Sequence, residues 1–305
     1  MTDLAHHPWP DQPVVPVIEP DEEAAAREAA QVEALVAELE GLPAHPSASA
    51  RVLWIADDPT SSATDLAAAV SADPSLTARA MKMANSAYYG LSGRVSSATF
   101  AVTVLGFSTV RSLAVATTAR VVGDEASVPP RFWDHAAATA CACALVSGRV
   151  KAPRPDAFSL GLLHDLGDAL LHRANPDGWT AARAEMRYPD TKQAVFTERK
   201  LVGLDHARAG ARVLTAWRFP QEFALAIEHH HDGPEAAITP LQKALVAGHA
   251  LADLLGCQDR LDLRNAIEAN RAALAVANID DTQAEHLAVQ VAKEAADVAA
   301  ALNSL

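Results

Sequence analysis

The run Gly161-Leu162-Leu163-His164-Asp165-Leu166-Gly167 sets an imidazole and a carboxylate side by side in an otherwise apolar stretch. Burying such a pair is costly unless each member finds a partner. One neutral imidazole and one carboxylate are also the pieces from which proteins build divalent-metal sites or orient phosphates. Whether His164 and Asp165 do chemistry therefore depends on partners elsewhere in the chain. Cysteine offers none: Cys141, Cys143 and Cys257 form no Cys-x-x-Cys spacing and read as small core residues in a reducing compartment. His229-His230-His231 ends a helical stretch, where the helix dipole favours histidine and no ligand is required.

The elements that must position these residues all read as helices. Residues 1–20 carry prolines and acids with no periodic apolar face and read as a disordered leader. A helix is expected over 21–41, with Val32, Leu35, Val36 and Leu39 on one stripe. Residues 42–128 form a helical module with clear stop and start signals. Ser62 with Asp65 reads as a capping box, Asp73-Pro74 as a cap followed by proline at the first helical position, and Gly106 as a break. Residues 129–275 continue with helices over 131–150, 156–172, 176–187, 191–201, 205–217, 221–231, 240–256 and 262–274, separated by prolines. A last amphipathic helix occupies 276–305 from Asp280 or Asp281. No alternating strand pattern occurs, so the expected class is all-α.

The bulk composition narrows the function. In 305 residues, half are apolar and the formal net charge is −13. That field repels nucleic-acid backbones and anionic membranes, and no Lys/Arg cluster offsets it, so no direct nucleic-acid partner is expected. No apolar run reads as long enough to span a bilayer and no signal peptide is evident, so the expected location is cytoplasmic.

Taken together, the ordered blocks are similar to a known family. Leu42-Pro43, Asp58-Pro59, Asp73-Pro74-Ser75-Leu76, Asn85-Ser86-Ala87-Tyr88-Tyr89-Gly90 and Val104-Leu105-Gly106-Phe107 come first. Phe132-Trp133-Asp134-His135, Gly161 to Gly167, Glu198, Asp205-His206-Ala207, Trp217-Arg218-Phe219-Pro220 and His229-His230 follow. This order resembles the HDOD family, a signalling branch of the HD superfamily of metal-dependent phosphohydrolases, over roughly 40–260. The resemblance implies an N-terminal helical lobe packed on an HD-like helical bundle.

It also implies site residues. The superfamily's His, His-Asp and distant Asp correspond to His135, His164, Asp165 and Asp253, and His206 and His230 match further ligand positions of its two-metal members. Two imidazoles and two carboxylates suit Fe, Mn, Ni or Zn with positions left open for water. Asp165 is the residue on which catalysis would turn. Against turnover stand Asp168, where hydrolases of the superfamily often carry Lys, and Asp232-Gly233-Pro234 in place of a Gly-Tyr-Pro signature. Arg111 and Arg120 read as a solvated face that could alternatively meet a nucleotide phosphate.

Three functions follow as expectations. The first is a non-catalytic signalling module with a metal- or ligand-capable cavity, acting through a protein partner, with homodimerisation through the end helices as a further arrangement. The second is a metal-dependent phosphohydrolase or phosphodiesterase acting on a nucleotide or cyclic dinucleotide. The third is a nucleotide second-messenger receptor without turnover.

Overall fold

The computed structural model describes residues 26, 27, 30, 33, 34, 36, 37, 48–119, 128–185, 191–257 and 260–303. Among these, helices and turns account for all regular structure and no strand occurs. The leader (1–20) and Arg120 lie outside the described residues. So do Val32, Leu35 and Leu39 of the expected first stripe, while Val36 is fully buried.

Among the described residues, four α-helices build the N-terminal lobe: α1 (Ala48–Asp57), α2 (Ala63–Ser71), α3 (Pro74–Ala84) and α4 (Ala98–Thr118). Their starts follow the sequence signals. The Ser62 hydroxyl accepts from the Asp65 amide while the Asp65 carboxylate accepts from the Ser62 amide, closing the capping box. Asp73 caps α3 through the Leu76 amide, with Pro74 in the first turn. Gly106 adopts φ 76° and ψ 167°, a left-handed conformation that glycine takes without strain, and kinks α4 there.

Contrary to the sequence expectation, α4 is long and apolar enough to cross a membrane by length and composition alone, with 21 residues and a window of mean hydropathy 1.5. Within this fold 56% of that window is buried, so core packing accounts for its apolarity.

The second lobe holds α5 (Phe132–Val150), α6 (Arg154–Leu163), α7 (Leu166–Ala174), α8 (Pro176–Glu185), α9 (Thr191–Val202), α10 (His206–Ala216), α11 (Gln221–Glu228), α12 (Pro240–Asp253) and α13 (Arg260–Ala275). α5 is its central helix, packed against α6 and α12, and both Cys141 and Cys143 are buried on it. The single helix expected over 156–172 is two helices, α6 and α7, with the break at His164-Asp165.

The lobes are joined by the packing of α4 on α6 and by further contacts. The Tyr88 ring lies 5.1 Å from the Phe158 ring of α6. α14 (Asp281–Asn303) runs along α5 and also packs on α3, burying Val291, Val298 and Leu302, so this end helix covers the core. Arg111, read from sequence as solvated or phosphate-binding, is instead buried. Its Nη2 donates to the Trp217 and Arg218 carbonyls at 3.0 and 2.6 Å, and its guanidinium lies 4.1 Å from the Phe219 ring centroid. Those carbonyls stand at the C-terminal end of α10, where a cation is favoured.

Candidate metal centre

The break between α6 and α7 makes the site. Asp165 sits at the N-cap of α7 with φ −99° and ψ 17°, yet its side chain caps no amide. An Asp at this position normally caps and contributes about 1 kcal/mol. Here the carboxylate turns towards histidines from three other places in the lobe, His135 in the first turn of α5, His206 at the start of α10 and His230 just beyond α11, and towards the neighbouring His164.

The distances define two sets. Asp165 Oδ2 lies 3.3 Å from His164 Nε2 and 3.6 Å from His135 Nε2. Asp165 Oδ1 lies 3.7 Å from His206 Nε2 and 3.6 Å from His230 Nε2. His249 joins His135 and His164, and His231 joins Asp165, His206 and His230; within each set the donor atoms lie within 4.8 Å of one another. The Asp165 carboxylate thus stands between them, one oxygen facing each.

The histidine tautomers are set by their outer hydrogen bonds. His164 Nδ1 donates to the Gly161 carbonyl at 2.8 Å, and His230 Nδ1 to the Ile227 carbonyl at 2.6 Å. A carbonyl oxygen only accepts, so the proton is on Nδ1 and Nε2 carries a lone pair. Glu198 performs the same service for His206: its Oε2 accepts from Nδ1 at 2.7 Å and from the His206 amide at 2.9 Å. The Nε2 lone pairs then point at one another and at a carboxylate. His164 Nε2 is fully buried with no hydrogen-bond donor, and His206 Nε2 stands 2.9 Å from His231 Nε2. A buried acceptor facing a carboxylate with no proton between them, as at His164 Nε2, is unfavourable in a metal-free site, and a divalent cation would resolve the conflict; between His206 and His231 a proton can lie on either ring. The residues fit the metal that the sequence resemblance implies.

The electrostatics agree. Burial holds His164, His231 and His249 below the usual imidazole range, so they stay neutral, as metal ligands must. Burial opposes charging Asp165 too, but the surrounding imidazoles, His164 first, keep its carboxyl well below the usual range and ionised. Burial likewise opposes protonating His206, and the Glu198 carboxylate overrides it, raising His206 to about 9. A proton on His206 takes over part of the cation's role when the site is empty of metal.

Of the sequence-expected residues, the structure brings together His135, His164, Asp165, His206 and His230. Asp253 belongs to neither set: it lies one helical turn beyond His249, with Oδ2 3.6 Å from His249 Nδ1, and burial raises its carboxyl to about 6. Two residues escaped the sequence reading. His249 is found only by noticing that it shares a face of α12 with Asp253. His231 belongs to the triplet set aside as a helix-end preference. That helix stops at Glu228, which frees His230 and His231 to turn inward while His229 bonds Asp232 at the surface.

Two glycines let the helices approach closely enough. A Cβ at Gly167 of α7 would overlap the His206 carbonyl of α10, and one at Gly248 of α12 would meet the Cys143 backbone of α5. Asp168, the residue that counted against turnover, is not a bare carboxylate. It pairs with Arg183 and accepts from Trp179 Nε1 at 2.7 Å, while Arg183 also lies 3.3 Å from Glu198 Oε1. The centre opens into a cleft bordered by His135, Asp165, Asp168, Trp179, Arg183 and Asp253.

Comparison with known proteins bears on the family and the fold. The HDOD domain profile matches residues 42–233. Over 205 residues the chain is 27% identical to an uncharacterised protein of Treponema pallidum, covering 65% of this chain and 39% of that protein's length. A Shewanella amazonensis structure provisionally named a phosphohydrolase superposes with a TM-score of 0.67 at 24% identity, covering 90% of this chain and 98% of that one. An HDOD domain protein of Geobacter sulfurreducens superposes with a TM-score of 0.62 at 21% identity, covering 92% and 99%. With the profile matching well over half of its length, this chain belongs to the HDOD domain family.

Proposed function

We propose that this HDOD protein binds divalent metal at the Asp165 centre and hydrolyses a phosphoester there, water adding to phosphorus as the alcohol leaves. The observation that carries this reading is the convergence of imidazole Nε2 lone pairs on the two oxygens of Asp165. His135, His164 and His249 would hold one ion, His206, His230 and His231 a second, with Asp165 shared. A bound divalent cation would lower the pKa of its water and polarise phosphate oxygens. A purely structural metal site is closed, whereas hydrolytic sites keep a face open. His135 is about a third exposed and Asp165 about a fifth, and both border the cleft. Ion pairing of Asp168 with Arg183 weakens the electrostatic objection to phosphate.

The chain's own groups would prepare the site. Glu198 fixes the His206 ring, the Gly161 and Ile227 carbonyls fix His164 and His230, and Asp165 stays ionised. The test is metal analysis of untagged protein, followed by phosphomonoester and phosphodiester hydrolysis with Fe, Mn, Ni and Zn. Stoichiometric metal and product release abolished in Asp165→Ala are expected. Protein that purifies and reconstitutes without metal would sink the reading.

A non-catalytic signalling module acting through a protein partner is the second reading. It is favoured by the engagement of Arg183, the cation bordering the centre, with Asp168 and Glu198. It predicts full metal occupancy with no turnover on any ester.

A further inference from the structure

Helix α10 reaches from the metal centre to the N-terminal lobe. Its 11 residues span about 16 Å. At the near end stands His206, whose ring and amide are both held by Glu198. The far end closes in a Schellman motif: the Phe219 amide donates to the Leu214 carbonyl at 2.9 Å and the Arg218 amide to the Thr215 carbonyl at 3.0 Å. Arg218 thereby takes φ 55°, the left-handed position that glycine normally fills. The Cβ of arginine is disfavoured there, so the backbone alone does not explain the residue. Its side chain does: the guanidinium lies 5.1 Å from the ring centroid of Trp54 on α1. Trp54 is 54% exposed, so this stack is displayed at the surface.

Two further contacts tie α10 to N-terminal residues. Arg111 of α4 donates to the Trp217 and Arg218 carbonyls, and Arg212 pairs with both oxygens of Glu33 at 2.5 and 3.0 Å. Between its ends α10 crosses α7 at Gly210 and Gly167, where a Cβ on Gly210 would stand 3.2 Å from the Gly167 nitrogen. Two glycines present no side chains to interlock, so this pair does not block a small axial shift of α10.

We propose that α10 carries the occupancy of the His206 ion position to the surface, where it sets how firmly Arg218 stacks on Trp54. This inference rests on the metal-centre reading above. An ion held by His206, His230 and His231 fixes the first turn of α10, and the helix passes that constraint to its far end as one rigid element. The contacts there are directional, two carbonyl bonds and a cation over a ring, and weaken with small shifts. Helix α6 also runs from the centre to the joint, but it ends at His164 of the other set. Its Phe158 meets the Tyr88 ring, an apolar contact that tolerates sliding. Transmission through α10 is therefore specific to one ion. His206 Nε2 stands among the donors of its set in the same arrangement that forms the stack. The stack thus favours binding, and by reciprocity its loss weakens the ion.

Zinc affinity, read by calorimetric titration of the full chain, tests this in two backgrounds. His249→Ala leaves the His206 set intact, and His231→Ala leaves the His135 set intact. Adding Trp54→Ala should weaken zinc about two- to fivefold in the first background and leave the second unchanged. Trp54→Phe, which keeps a ring face for the guanidinium, should restore most of the loss. No change in either background, tighter binding in the first, or equal weakening in both would overturn transmission through α10 and leave the metal centre standing. A His249→Ala chain that retains no zinc would overturn the separate ion sets and this inference with them. A wild-type chain that binds no divalent metal would overturn the metal-centre reading as well.

Discussion

Asp165 gives up a helix cap to sit between two sets of histidines, and that choice separates it from every other residue of the site. Each oxygen faces its own set, so a change at Asp165 should affect both ions, while a change at an outer histidine should affect one. Asp165→Asn removes the charge and keeps the volume; metal content by mass spectrometry is expected to collapse at both positions. His231→Ala removes a donor from one set only, and about half of the wild-type metal should remain. Equal loss in the two variants would show that the sets do not hold separate ions. Asp253 offers a contrasting control. It lies beside His249 and belongs to neither donor set, so Asp253→Asn should weaken metal retention less than His249→Ala does.

At the scale of elements, close helix approach converts scattered residues into a site, and one atom at Gly167 tests it. The added Cβ of Gly167→Ala would run into the His206 carbonyl, and the first turn of α10 would have to shift. A cost of about 1–3 kcal/mol in denaturant unfolding is expected for such overpacking. The metal of the His206 set should be lost in preference to that of the His135 set. This dependence also shows what could be read beforehand. Caps at Ser62 and Asp73, the Gly106 break and the helical class are local features, written in adjacent residues, and all were legible. The His164-Asp165 pair stood out by residue type alone, whereas His135, His206 and His230 entered as candidates only through the ordered family blocks. The break between α6 and α7 was not, because an apolar helical pattern runs straight through it and tertiary pull on Asp165 interrupts it. His231 and Arg111 were misread for a related reason: their partners, His206 and the carbonyls of Trp217 and Arg218, are distant in sequence.

Among the described residues of the whole molecule, the candidate metal donors all come from one lobe. His135, His164, Asp165, His206, His230, His231 and His249 come from α5, the α6–α7 joint, α10, the turn after α11, and α12. The N-terminal lobe contributes none of them and is joined through the packing of α4 on α6 and through Arg111, Tyr88 and α14. Metal should therefore stabilise the second lobe directly and the first only through that joint. A ligand bound to the folded state at a hundred times its Kd adds about 2.7 kcal/mol. For a chain of this size that corresponds to a fall of about 4 °C in Tm when a chelator strips the ion. Hydrogen exchange should then locate the loss. Amides of α10 to α12 should exchange faster after chelation, because the donors there lose the ion that holds them together, while α1 to α3 should change little. Uniform loss of protection over both lobes would mean that the joint transmits the metal's contribution undiminished. In that case Arg111→Ala, which removes two carbonyl bonds and the contact with Phe219, should restore the difference between the lobes.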